Sequence, residues 1–332
     1  LENAMKALMC HRFGPIDQLT VEDVPSPTPG PGEVLIDVQA ASINFPDVLI
    51  VQGLYQIKPP LPFSPGAELA GVVSAVGPEV RHLAVGDRVF ASVGTGGFAE
   101  QCVAPALRVQ KLPADMDFET GASFVLVYGT SLHALQTIAR LQPGETLLVL
   151  GAAGGVGIAA VEIAKAMGAR VIAAASSPAK LELARSAGAD ATVDYTQPDW
   201  RREVEALTDG RGADVVYDAV GGSYTEPALR ATAWRGRYLV VGFAAGDIPK
   251  IPLNLALLKE RAILGVFWGA AMQREPRQLL ADLKQLTDWF AAGQLKPVIT
   301  ERVPLSGAAA AIGRLGARQA MGKLVVQPRA AD

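Results

Sequence analysis

Thr146-Leu-Leu-Val-Leu-Gly151-Ala-Ala-Gly-Gly-Val-Gly157 is the stretch on which the reading of this chain turns. Its first five residues form a short apolar run that predicts a strand buried on both faces. The glycines then predict a turn. Beyond it, Val156, Ala160, Ile163 and Met167 recur at three-to-four spacing, the mark of a helix that Gly168 ends. A helix N-terminus offers unpaired N–H groups and a partial positive charge. Glycine there lets a pyrophosphate reach the backbone, and Gly157 lets the helix lie close to the sheet. Strand, glycine turn and helix in this order form the context of a dinucleotide site. Ala153, Gly154, Gly155, Val156 and Gly157 are therefore expected on the cofactor. The competing reading is a tight turn that binds nothing.

Downstream, strands and helices alternate. Strands are predicted at Arg170–Ala174, Ala191–Tyr195, Asp214–Asp218 and Arg237–Val241. Helices are predicted at Ala179–Ser186, Trp200–Leu207 and around Ala228. This alternation implies a parallel, doubly wound sheet, an α/β fold. Helices at Arg277–Ala292 and Ala308–Leu315 and a strand at Lys323–Val326 follow. Upstream the rhythm differs. Lys6–Met9, Glu33–Val38 and Leu69–Val76 read as strands bounded by Pro and Gly. Pro25 to Gly32 holds four prolines and two glycines and reads as a loop.

Composition narrows the class. The chain has 332 residues, more than one ordinary core and suited to two domains. Half the residues are apolar and the net charge is -3, with acids and bases scattered. No basic stripe suits nucleic acid or an anionic membrane. The longest apolar run, Leu147–Val161, is short for a membrane span. No secretory signal is recognisable, and Leu1 to Ala4, ahead of Met5, are left out of the argument. Cys10 and Cys102 are the only cysteines. They read as small core residues in a reducing, cytoplasmic setting.

The end of the second strand selects the cofactor. An NAD site usually places Asp or Glu there, against the adenosine ribose. Here the stretch is Ala173-Ala-Ala-Ser176-Ser177, with Lys180 next. No acid repels a 2′-phosphate, while two hydroxyls and a cation are available to bind one. The expectation is NADPH over NADH, with Ser176, Ser177 and Lys180 as ligands; otherwise Lys180 is an ordinary exposed helix lysine.

Further segments point one way. Ala41-Ser-Ile-Asn44-Phe-Pro-Asp47, Gly53-Leu-Tyr55, Pro65-Gly-Ala-Glu68, Gly71-Val-Val, Gly86-Asp-Arg-Val, the glycine loop and Arg318-Gln-Ala-Met-Gly322-Lys323 resemble, in that order, the quinone oxidoreductase branch of the medium-chain dehydrogenase/reductase superfamily. The resemblance runs from about residue 5 to 327. It implies a GroES-like, β-rich catalytic domain split around a Rossmann domain: residues 1–123 and 268–332 in the first, 124–267 in the second. It implies an active site in the cleft between them, and a homodimer. By position, Asn44 lies beside the nicotinamide, Tyr55 in the substrate cleft and Thr130 near the nicotinamide ribose. Ser176, Lys180 and Tyr195 match groups that hold the 2′-phosphate, with Arg318 in reach of it. Val220 is expected on the cofactor, and Phe243 and Phe267 at the nicotinamide pocket. Leu49 departs from the pattern, standing where some members have a second cleft tyrosine and making the pocket more apolar.

Zinc alcohol dehydrogenases of the same superfamily need a Cys within Ser42-Ile-Asn44 and a His at the position of Ala67. This chain has neither, and His11, His82 and His133 show no ligand spacing. Without a Lewis acid, the acceptor must already be electrophilic. The expectation is hydride transfer to a quinone or enone, the developing oxyanion taking a hydrogen bond from Asn44, Tyr55 or Tyr128. Asn44 reads equally as a turn residue, and Tyr55 and Tyr128 as wall residues. Asp47, Glu68 and Asp218 read as structural acceptors, Lys323 as a brace for the end of the fold. Two alternatives stand beside this: an enoyl-thioester or haloacrylate reductase on the same scaffold, and an NADPH-binding protein without turnover.

Overall fold

The computed structural model describes residues 4–330, so Leu1–Asn3 of the excluded N-terminal stretch lie outside the described residues. The chain forms two compact units, one ending at Leu126 and resuming at Ile299, the other spanning Val127–Val298.

The first unit holds β1 (Ala4–Met9), β2 (Thr20–Pro25), β3 (Glu33–Ile43), β4 (Glu68–Val76), β5 (Arg88–Ser92), β6 (Gln101–Pro105) and β7 (Val109–Lys111). The second holds β8 (Thr146–Leu150), β9 (Arg170–Ala175), β10 (Ala191–Asp194), β11 (Ala213–Asp218), β12 (Thr232–Val240) and β13 (Ala262–Gly265). The chain then returns to the first unit with β14 (Ile299–Pro304) and β15 (Lys323–Gln327).

In the first unit, β1 and β2 pair separately, and a larger sheet runs β14-β15-β3-β4-β5-β7, with β6 also on β3. β3 is the hub, antiparallel to β4, β6 and β15. Its alternation places Val34, Ile36 and Val38 in a core with Leu8, Leu69, Phe98 and Leu324. Gly71 sits where β3 and β4 approach most closely: an added Cβ would lie 2.2 Å from the Asp37 carbonyl oxygen.

The second unit is built on a six-stranded sheet of order β10-β9-β8-β11-β12-β13, parallel throughout. In chain order this is 3-2-1-4-5-6, the doubly wound dinucleotide-binding order. Leu147, Leu148, Val149 and Leu150 are all fully buried, as a parallel strand covered on both faces requires. The helix after it, Gly155–Ala166, is buried along its middle and not only on one stripe. Glu162 is tolerated inside because its carboxylate accepts from the Tyr128 hydroxyl at 2.7 Å and the Lys296 N–H at 3.0 Å.

The second boundary differs from the expected 267/268 and falls at 298/299. Contacts within the second unit explain this. The Trp268 ring fills the space over Gly129, where a Cβ would meet Cζ2 at 2.5 Å. Gln136 and Gln285 exchange amide hydrogen bonds of 3.2 and 3.0 Å. Trp268 opens a helix, Trp268–Arg274, that short-range pattern does not reveal. It is buried there.

Gly71→Ala forces the β3–β4 ladder apart. Its unfolding free energy is expected to fall by more than about 2 kcal/mol, read from urea midpoints. An unchanged midpoint refutes the close-approach argument.

Candidate active site

The carboxyl ends of the parallel strands carry the expected cofactor residues. β8 ends at Leu150, and Gly151 turns the chain with φ +69°. Gly154 caps the helix Gly155–Ala166, and no side chain caps its first turn. Its leading N–H groups point out of the helix, open to an anion. At Gly157 a Cβ would lie 2.2 Å from the Gly151 carbonyl oxygen and 2.7 Å from Ala152 Cα. Only glycine permits this contact, so turn and helix are pulled together into a shallow backbone cradle. Ala153 is buried beside it. Val220, just past β11, packs where a Gly151 side chain would be.

Ser177 caps the helix Pro178–Ser186 by accepting from the Lys180 N–H, and Lys180 Nζ donates to Ser176 Oγ at 3.4 Å. These three residues thus converge at the end of β9. The Tyr195 N–H donates to the Ala175 carbonyl at 3.2 Å, bringing the ends of β9 and β10 together. The Tyr195 ring packs on Tyr224, with centroids 4.4 Å apart, and edge-on to Trp200. No carboxylate follows β9 within this turn. A hydroxyl pair, a cation and an aromatic face suit an adenosine 2′-phosphate.

Phe243 follows β12 and lies against Gly221; Phe267 follows β13 and is half exposed. Thr130 lies in the helix Val125–Leu132. Its neighbour Ser131 ties that helix to the cradle through Val156 O at 3.0 Å and the Tyr217 hydroxyl at 3.0 Å. Asp218, between these segments, accepts from the Val220 and Gly221 N–H groups and from Thr225 and Tyr238. Arg318 belongs to the other unit, in a left-handed turn (φ +59°) after the helix Ala308–Gly316.

In the first unit, Asn44 ends β3 and is the N-cap of the helix Phe45–Val51. Its amide faces inward. Nδ2 donates to Glu68 Oε1 at 2.9 Å and Ser42 Oγ at 3.1 Å, and Oδ1 accepts from Lys323 Nζ at 2.6 Å. Glu68 also accepts from Ser42 Oγ at 2.5 Å and the Leu126 N–H at 2.9 Å. Asp47 accepts the Asn44 N–H at 2.8 Å, the return half of a capping box, and the Gly66 N–H at 3.1 Å. Asn44, Asp47, Glu68 and Lys323 are all buried. Sequence reasoning left Lys323 as a brace. The signal was a lysine opening the apolar strand Lys323–Gln327, where a free ammonium is costly.

Tyr55 is half-buried, packed against the core of this unit, and its hydroxyl makes no hydrogen bond among the described residues. Burial, then the nearby Asp47 charge, raises its pKa, keeping it a phenol that can donate. Tyr128 differs: it is buried in the second unit and donates its proton to Glu162, so the hydroxyl is engaged inside the fold. Leu49 is half-buried in the helix that leads to Tyr55.

The residues do not fit a zinc ion. Asn44 accepts from the Lys323 ammonium, the Ser42 hydroxyl donates to Glu68, and Ala67 offers no ligand atom on its side chain. Among the described residues no group of three or more His, Cys, Asp or Glu is arranged to hold a metal. Cys10 and Cys102 are buried, and burial pushes the Cys102 thiol up to about 12.

A phosphate cradle at the switch of a doubly wound sheet, joined to a β-rich unit, defines a two-unit nucleotide-dependent dehydrogenase or reductase. Residues 30–114 match the family model "Alcohol dehydrogenase GroES-like domain" and residues 155–285 match "Zinc-binding dehydrogenase". The chain is 39% identical over 328 residues to "Quinone oxidoreductase-like protein 2 homolog" of Nematostella vectensis, covering 98% of this chain and 89% of the relative. It is 36% identical over 326 residues to "Quinone oxidoreductase" of Pseudomonas aeruginosa, covering 97% and 99%. The crystal structure of Escherichia coli quinone oxidoreductase complexed with NADPH superposes with a TM-score of 0.91 at 29% identity, covering 97% and 100%. This chain belongs to the quinone oxidoreductase branch of the medium-chain dehydrogenase/reductase superfamily.

Burial pushes the Asp47 carboxyl up to about 7, against the Asn44 and Gly66 N–H groups and the Lys323 charge, which lower it. The fold therefore favours its acid form. The stability this lends is whole below about pH 4, where the unfolded chain also keeps the proton, and is lost as pH rises through about 7. Between about pH 5 and pH 8, wild type should lose urea resistance relative to Asp47→Asn. Parallel midpoints for the two proteins contradict the shift.

Proposed function

We propose that this chain uses NADPH to reduce a quinone or another carbonyl-conjugated double bond, without zinc. The observation that supports the acceptor class is the ammonium of Lys323 held on Asn44, while among the described residues no group of His, Cys, Asp or Glu is arranged to hold a metal. With no Lewis acid to polarise an alcohol or aldehyde oxygen, the acceptor has to be electrophilic in its own right.

NADPH, when bound, supplies the hydride. The Gly151–Gly157 cradle would take its pyrophosphate on open N–H groups, and Ser176, Ser177, Lys180 and Tyr195 its 2′-phosphate end. The NADPH named in the Escherichia coli relative's structure supports this assignment. Thr130, Val220, Phe243 and Phe267 would flank the nicotinamide. Tyr55 is the donor to the oxygen on which negative charge develops, because its hydroxyl is the one left without an internal partner. Asn44 lines the acceptor site with a fixed amide. Leu49 and the exposed Leu54 and Ile57 make the Tyr55 side of the site apolar, which suits a conjugated ring or chain.

The assembly we propose is a homodimer in a reducing cytoplasm, where both buried thiols stay reduced. β13 is an edge strand of its sheet, and the nearby Leu253, Leu257 and Phe267 are 77%, 76% and 50% exposed. Such an edge with an apolar surround suits a second copy. Among the described residues no helix is long and apolar enough to cross a membrane. Sedimentation velocity at micromolar concentration is expected to give a dimer, and a monomer overturns this part.

Turnover is tested with NADPH and NADH against a benzoquinone, a naphthoquinone, a linear enone, an acrylate and a simple aldehyde. The expected result is kcat above about 1 per second on quinones or enones and none on the aldehyde. NADPH binding with no turnover on any of them would favour a binding protein instead. Lys180→Ala is expected to raise the KM for NADPH about tenfold and leave that for NADH almost unchanged; equal effects on both remove the 2′-phosphate assignment.

A further inference from the structure

Three adjacent strands of the first unit bring one buried cation to one buried amide. β3 lies between β15 and β4, with Leu324 opposite Ile43 and Glu68 opposite Ser42. Lys323, at the start of β15, therefore reaches across the end of β3. Its Nζ donates to Asn44 Oδ1 at 2.6 Å, Ile43 O at 3.3 Å and Glu68 Oε1 at 3.3 Å. These three contacts use all three ammonium hydrogens. The short one goes to the neutral amide and the carboxylate is more distant, so the pair is not built for maximal Coulomb attraction. The Lys323 and Glu68 side chains are 5% and 0% exposed. Burying both ions costs several kcal/mol each, and an apolar pair of similar volume is often as stable. What ions do here that an apolar pair would not is fix direction. The cation compels Oδ1 of Asn44 to face it, so Nδ2 turns to Glu68 and Ser42. Asn44 is also the N-cap residue of the helix that leads to Tyr55, joined to it through its own N–H, which donates to Asp47, and its carbonyl, which accepts the Asp47 N–H.

We propose that Lys323 is a positioning residue for the acceptor site: it clamps the Asn44 amide in one orientation and, through that N-cap, sets the segment that carries Tyr55. The proposal rests on the reading that Asn44 and Tyr55 face the acceptor.

The test compares Glu68→Gln with the double variant Lys323→Met/Glu68→Gln, so that lysine is removed without stranding a buried carboxylate. Both should bind NADPH, followed by its fluorescence, within about twofold of wild type, because the phosphate cradle belongs to the other unit. The step from the single to the double variant should lower kcat about 10- to 100-fold with a much smaller change in acceptor KM. A step below about twofold in kcat overturns the proposal. A second readout needs no turnover, and its wild-type arm does not depend on how the double variant folds. With asparagine labelled by nitrogen-15, the Asn44 side-chain amide protons of wild type should exchange slowly with solvent, and in the double variant rapidly. Rapid exchange in wild type, or equal protection in both proteins, overturns the clamp. Absence of turnover by wild type on every acceptor refutes the functional reading alone, and the exchange experiment still decides the clamp.

Discussion

The contact between Gly157 and the Gly151 carbonyl is the constraint on which the second unit depends. A single methyl group at position 157 would lie 2.2 Å from that oxygen, well inside any tolerable approach. Because glycine removes it, the helix can start directly over the end of β8. Its unpaired N–H groups are then delivered to the centre of the sheet's carboxyl edge, where the strand order changes direction. Everything expected of a cofactor in this unit follows from that placement. Ser176, Lys180 and Tyr195 come from the next two strand ends, and Val220 from the strand on the other side. One close approach of backbone to backbone thus organises residues spread over about seventy positions of sequence.

The first unit solves a different problem. It carries two carboxylates and an ammonium in a core that excludes water. Each is provided for separately. Glu68 accepts from Ser42, Asn44, Lys323 and Leu126, and Asp47 from two backbone N–H groups. The satisfied network is rigid because a lost partner would leave a desolvated polar group. Asp47 is the least provided for, with no cation in hydrogen-bond contact, and its carboxyl is raised accordingly.

Much of this architecture was legible in the residues. The strand at Thr146–Leu150, the alternation from Arg170 to Val240 and the acid-free end of β9 are local patterns, set by side-chain period and by backbone N–H groups near a turn. The helix Trp268–Arg274 was not legible. Its residues Gly269, Ala270 and Ala271 carry no apolar period, and the helix is fixed by the Trp268 ring seated over Gly129, some 140 positions earlier. The extent of the second unit rests likewise on Gln136–Gln285 and Glu162–Lys296, pairings that no window of sequence contains.

Sequence by itself determined the class of fold, the family and the glycine turn between β8 and its helix, because these depend on glycines, apolar period and order along the chain. Tertiary structure alone decided how the polar side chains are used. Asn44, Tyr55 and Tyr128 were all candidates for the hydrogen-bond donor. In the fold, Asn44 faces an ammonium, Tyr128 faces Glu162, and only Tyr55 keeps its hydroxyl without an internal partner. Lys323 passed for a terminal brace until β15 was set beside β3. A hydrogen bond is a matter of distance and direction, and the residues that supply its partners here lie up to 280 positions apart.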